Sequence, residues 1–73
     1  MATPQARFGE QVRRLRLSRG WTQEELAQRA GRHWTYIGGI ERGERNITIQ
    51  VIADLARALG VEIRDLFPSK GAR

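Results

Sequence analysis

The stretch TQEELAQRAGRHWTYIGGIERGERN, residues 22–46, decides the fold. It opens on Thr22-Gln23-Glu24-Glu25, which has the spacing of a capping box. In that motif a threonine hydroxyl accepts the backbone N–H three residues on, and the glutamate there reaches back to the threonine's own N–H. Leu26, Ala27 and Ala30 then recur at helical spacing, which predicts a helix over 23–30 with those three facing inward. Gly31 ends it, as the residue type that enters the left-handed region at least cost. A further helix over 33–42 carries Ile37 and Ile40 on its inner side and stops at Gly43. Two short helices meeting at a glycine form a helix-turn-helix corner.

The pattern continues outward in both directions. Phe8, Val12 and Leu15 repeat at i, i+4 and i+7, so an amphipathic helix is predicted over 6–18, ended by Gly20. Residues 43–46 read as a polar loop. Thr48 then caps a helix over 49–59, with Ile52, Ala53, Ala56 and Leu59 as its inner face and Gly60 beyond it. Residues 61–67 read as a short fifth helix closed by Pro68, and Ser69 to Arg73 as a frayed polar tail. No strand pattern, internal repeat or linker interrupts this series. The expected architecture is all-α: a compact bundle of five short helices in a single domain, 1–73, with its ordered core over 6–67.

Composition narrows the chemistry. At 73 residues the chain has room for one domain, and a domain so small buries only about 60% of its unfolded surface. There is no cysteine, which excludes disulfides, thiolate zinc sites and thiol catalysis, and His33 is the only histidine, which excludes a histidine-rich metal centre. No apolar run approaches the roughly 18 residues needed to span a membrane. The only serines, Ser18 and Ser69, lie in no nucleophile motif. Gly38 and Gly43 have the spacing of a phosphate loop, but Glu44 follows where lysine is required. No enzyme, metal, cofactor or small-molecule ligand is therefore expected. The net charge is +5, and twelve of the thirteen basic residues are arginine. Residues 1–36 hold seven arginines against three glutamates, so the positive charge is concentrated in the amino-terminal half, as in a nucleic-acid binder. An anionic membrane or an acidic protein would feel the same attraction, although the Lys-rich amphipathic helix of a membrane binder is missing.

Two charges fall where the pattern calls for apolar residues. Arg16 lies four after Val12 on the inner face of the first helix, and Glu41 lies four after Ile37 on that of the third. A lone buried charge costs several kcal/mol, so opposite charges at two inward positions suggest one structural ion pair. The alternative is that both reach solvent at a helix edge.

Trp21-Thr22-Gln23-Glu24-Glu25-Leu26-Ala27, Gly31, Tyr36-Ile37, Ile40-Glu41-Arg42-Gly43 and Leu59-Gly60-Val61 together closely resemble the lambda repressor and Cro-like (XRE-type) helix-turn-helix family. The resemblance covers about residues 8–67. Within that family, the string from His33 to Thr48 is most similar to the controller proteins of restriction–modification systems. The resemblance implies that the helix starting near His33 enters the major groove of double-stranded DNA amino end first. Candidate base contacts are His33, Trp34, Thr35, Tyr36, Gly38 and Gly39. Thr35 can bond a base edge or pack on a thymine methyl. Tyr36 can do likewise, or lie half-buried between helices. Trp34 stands where related proteins commonly place Arg or Gln, so the family's usual base code need not hold here. Gly38 and Gly39 allow either close approach to DNA or close helix packing. Candidate phosphate contacts are Gln23, at the amino end of its helix, Arg45 and Asn46 in the loop after the recognition helix, and Arg42, which either serves there too or only complements the negative end of that helix.

The resemblance further implies a homodimer joined through the carboxy-terminal region and reading a palindromic operator. Val51, Leu55, Ile63, Leu66 and Phe67 are the expected interface; the alternative is that Ile63, Leu66 and Phe67 close the monomer's own core. The expected function is transcriptional regulation in the cytoplasm, with RNA polymerase a further candidate partner. A second reading, from a different class, is an antitoxin-like module that holds a protein partner and regulates DNA only as a complex.

Overall fold

Thr3 caps the first helix: its hydroxyl accepts the Ala6 N–H at 3.0 Å, and Pro4 follows at the first helical position, where a missing N–H costs nothing. In the computed structural model, which describes residues 3–67, four α-helices follow one another: α1 (Pro4–Ser18), α2 (Gln23–Ala30), α3 (Trp34–Glu41) and α4 (Ile49–Leu59). A 3-10 turn, Ile63–Leu66, stands where a fifth helix was expected. Of the six residues between Gly60 and Phe67, the first two are non-helical and the last four make little more than one turn at three residues per turn. The described residues contain no strand, and none of their helices is long and apolar enough to cross a membrane. Pro68 and the tail lie outside the described residues.

Caps set the boundaries. The Thr22–Glu25 capping box is present, with Glu25 N–H to Thr22 Oγ1 at 3.1 Å and Thr22 N–H to Glu25 Oε1 at 2.7 Å. Thr48 Oγ1 accepts the Val51 N–H at 3.2 Å. Gly31 closes α2 at φ +69° and Gly60 closes α4 at φ +72°, values that cost an L side chain roughly 1–2 kcal/mol. α1 begins two residues earlier than its apolar repeat implies, because Thr3 and Pro4 extend it.

One core joins all the elements. Phe8 and Val12 of α1, Leu26, Ala27 and Ala30 of α2, Ile37 and Ile40 of α3, four residues of α4, and Leu66 are buried together. Each large side chain here is worth about 1.5–3 kcal/mol of burial. α1 crosses α3 at Gly9, where a Cβ would collide with the Ile40 carbonyl oxygen and stand 2.9 Å from that of Glu41. That backbone approach carries the amino-terminal turn of α1 onto the end of α3.

The rotation of α4 differs from expectation. Its buried residues are Val51, Asp54, Leu55, Ala56 and Leu59, whereas Ile52 and Ala53 are only half-buried. Apolar residues at 51, 52, 55, 56 and 59 form an arc wider than one core contact needs. The packing of α2 and Leu66 selects the half that contains Val51 and Leu55.

Candidate nucleic-acid interface

His33 is the N-cap of α3, one residue before its first helical residue, Trp34. Its Nδ1 meets the Thr35 N–H at 3.2 Å and the Thr35 hydroxyl at 2.7 Å. The imidazole stacks beside the Trp34 indole, with centroids 6.0 Å apart. Trp34 is 48% exposed, a high value for the largest apolar side chain, and Thr35 beside it is exposed. Tyr36 is half-buried against the core, with the Arg45 guanidinium 5.1 Å from its ring centroid. Ile37 and Ile40 are fully inside, so the amino end of α3 presents His33, Trp34 and Thr35 outward while its inner side is locked.

Gly38 and Gly39 are not open surface. Both are buried, because Arg42 lies over the first and Arg45 over the second: Cβ atoms there would stand 3.1 Å from Arg42 Nη1 and 3.1 Å from Arg45 Nε. The expected bare backbone at these positions is therefore roofed by two guanidinium side chains.

Behind α3, Arg16 and Glu41 form a bidentate pair, Nε to Oε2 at 2.7 Å and Nη2 to Oε1 at 3.0 Å, with side chains 9% and 3% exposed. Arg16 Nη1 also donates to the Trp21 carbonyl at 2.6 Å, and Gln23 Nε2 donates to Glu41 Oε1 at 3.1 Å. The cluster ties α1, the entry to α2 and the end of α3 together. Gln23 is thus a brace of α3, and it stands half-exposed at the amino end of α2, where N–H groups and the helix dipole favour an anion. Arg45 and Asn46 are exposed in the loop after α3, and Asn46 Oδ1 accepts from Gln5 Nε2 at 2.6 Å.

A second polar cluster has no counterpart in the sequence reading. Asp54, buried on α4, accepts from Arg32 of the turn between α2 and α3, from Arg57 at 2.9 Å and from Gln50 at 3.0 Å. The Arg32 bond first, then those from Arg57 and Gln50, hold its pKa down from 3.8 to about 2. With Ile52 and Ala53 taken as the inner face, Asp54 reads as an edge residue. A charge three residues after an apolar one and one before Leu55 was the available signal. Arg19 is likewise committed to structure, donating to the Leu59 carbonyl at 3.0 and 2.6 Å across the end of α4.

The expected dimer residues divide. Val51, Leu55 and Leu66 are 4%, 0% and 0% exposed and belong to the monomer core, because α4 is rotated and Leu66 plugs its end. Ile63 and Phe67 remain outside, the latter tilted against Phe8 with ring centroids 5.2 Å apart. Ile49, which the sequence reading passed over, is the most exposed of the large apolar residues.

A short helix locked by its inner isoleucines and a buried ion pair, presented amino end outward beside a capped helix on a basic domain, defines a DNA-binding helix-turn-helix transcriptional regulator. Comparison with known proteins agrees. Residues 12–66 match the Helix-turn-helix model HTH_3, and the chain belongs to that family. It is 47% identical over 60 residues to control protein C.BamHI of Bacillus amyloliquefaciens, covering 81% of this chain and 74% of that one. It is 41% identical over 66 residues to control protein C.SmaI of Serratia marcescens, covering 90% and 79%. The crystal structure of the restriction–modification controller protein C.AhdI from Aeromonas hydrophila superposes with a TM-score of 0.83 at 45% identity, covering 85% of this chain and 94% of that one.

Proposed function

We propose that the protein acts as a homodimer on a palindromic operator, as a restriction–modification controller. Its likeness to C.BamHI, C.SmaI and C.AhdI supports the controller role. The observation that carries the dimer is apolar surface. Ile49 is 81%, Ile63 46% and Phe67 49% exposed, all on α4 and the turn that follows it. Phe67 also lines, with Phe8, Ile47 and Ile52, an open groove of about 240 Å³. Of the five large apolar side chains exposed among the described residues, Ile49, Ile63 and Phe67 fall in the carboxy-terminal part of the chain, Leu17 and Trp34 being the others, and exposed apolar surface marks an association site. A second copy would cover it and set two α3 helices at the spacing of half-sites one helical turn apart, about 34–36 Å. His33, Trp34, Thr35 and Tyr36 then meet base edges, and Gln23, Arg45 and Asn46 meet phosphates on either flank.

Sedimentation equilibrium at micromolar concentration, paired with titration of a selected palindrome and of its single half-site, tests this reading. A species of twice the chain mass that favours the full palindrome is expected. A monomer that binds the half-site equally well overturns it.

A further inference from the structure

Trp34, Gly38 and Arg42 are spaced i, i+4 and i+8, so they lie in one line along the outer side of α3. Trp34 is exposed at the amino end, and Arg42, the C-cap, is exposed at the other. Gly38 between them contributes no side chain. Side chains on a helix lean toward its amino end. The Arg42 side chain follows that rule and runs back across the gap, with Nη1 3.1 Å from the place a Gly38 Cβ would occupy. Its guanidinium therefore lies one turn nearer the amino end than its own Cα, on the line that leads to Trp34. Glu44 Oε2 lies 3.1 Å from Nε, and among the described residues Nη1 and Nη2 make no hydrogen bond. A phosphate anchor on the flank of the groove would extend past the end of α3. This one folds back over the helix face instead.

We infer that Arg42 is a specificity-determining residue whose guanidinium reads the N7 and O6 acceptors of a guanine opposite the middle of α3, with Gly38 as the opening that lets it lie there. The inference rests on α3 being the helix that enters the major groove. An arginine fork on a guanine edge is the commonest specific contact of this kind. It supplies readout at a turn of α3 whose own residue has none. Gln23 forms the other wall of the seat, with Oε1 3.4 Å from the same Cβ position. The residue that braces α3 against Glu41 thus also limits where the Arg42 guanidinium can swing.

The test compares the full-length protein with Arg42→Ala and Gly38→Ala, each used to select sites from random double-stranded DNA and then titrated against single-base variants of the parent's site. The parent is expected to require guanine at one position per half-site. Arg42→Ala should lose that requirement by roughly 5-fold to 150-fold while keeping its preferences elsewhere. Gly38→Ala should weaken the same preference, because its Cβ displaces Nη1. It should also melt no lower than the parent, since alanine favours a helix over glycine. A different result for Arg42→Ala overturns the inference and leaves DNA binding intact: affinity falling equally for every variant, with the slope of log K against log salt smaller by about 0.9 for each half-site, which is the mark of a phosphate contact. An unchanged guanine preference in Gly38→Ala overturns the seat. A parent protein that selects no site overturns both this inference and the DNA-binding role beneath it.

Discussion

Replacing Glu41 with alanine should remove a large share of the protein's stability. Glu41 accepts two bonds from Arg16, at 2.7 and 3.0 Å, and one from Gln23, at 3.1 Å, with only 3% of its side chain exposed. Truncation leaves the Arg16 guanidinium, 9% exposed, facing an empty space with only the Trp21 carbonyl as partner. Breaking one side of such a pair costs about 3–5 kcal/mol, mostly the penalty of an uncompensated buried charge. Natural domains hold about 0.05–0.15 kcal/mol per residue, so a chain of 73 residues has on the order of 4–11 kcal/mol to lose. At about 4–8 °C per kcal/mol for a domain of this size, the melting temperature should fall by at least about 12 °C. Equilibrium urea unfolding followed by circular dichroism measures the loss directly. Arg16→Met combined with Glu41→Leu should be less damaging than either alanine variant alone, because well-packed apolar side chains replace a buried pair at little net cost. A loss under about 1 kcal/mol, the value of an exposed pair, would refute the reasoning. So would additivity in the Arg16 and Glu41 double-mutant cycle.

Gly9→Ala should destabilise the fold by about 1–3 kcal/mol or more despite alanine's better helix propensity, because its Cβ meets the Ile40 carbonyl, and backbone cannot step aside; a midpoint in urea equal to or above the parent's argues against that contact. Asp54 has its folded pKa lowered from 3.8 to about 2, so its contribution is present above pH about 4 and is lost as pH falls from there toward 2. Asp54→Asn should begin less stable at pH 7 and show a shallower acid decline, and melting curves from pH 2 to 7 that run parallel to the parent's contradict this. Arg45→Ala should flatten the slope of log K against log salt by about 0.9 per site without altering base preference, whereas Asn46→Ala should weaken binding with the slope unchanged; a selected motif that changes with Arg45→Ala moves that residue from phosphate to base readout.

What could be read before the structure, and what could not, follows from how local each determinant is. Thr22, Glu25, Thr48, Gly31 and Gly60 act on their own backbone within one helical turn, and the helix ends they mark are where the sequence places them. Arg16 and Glu41 were visible as charges inside an apolar repeat, and the structure joins them across 25 residues of chain. The rotation of α4 is a different kind of quantity. Its apolar arc allows two inner faces, and only the neighbouring elements choose between them, so Val51 and Leu55 passed for interface and the buried Asp54 went unread. Glycines show the same division. Gly9 and Gly38 are alike in sequence, each a single hydrogen in mid-helix. A carbonyl oxygen stands against one and the end of a flexible arginine against the other. The first is a packing constraint that no side chain can satisfy. The second is an opening that another residue fills, so a position expected to expose bare backbone is covered by a guanidinium. What covers the face of α3 therefore depends on the reach of side chains from its end and from the loop beyond, Arg42 over Gly38 and Arg45 over Gly39, and residue spacing alone does not give that reach.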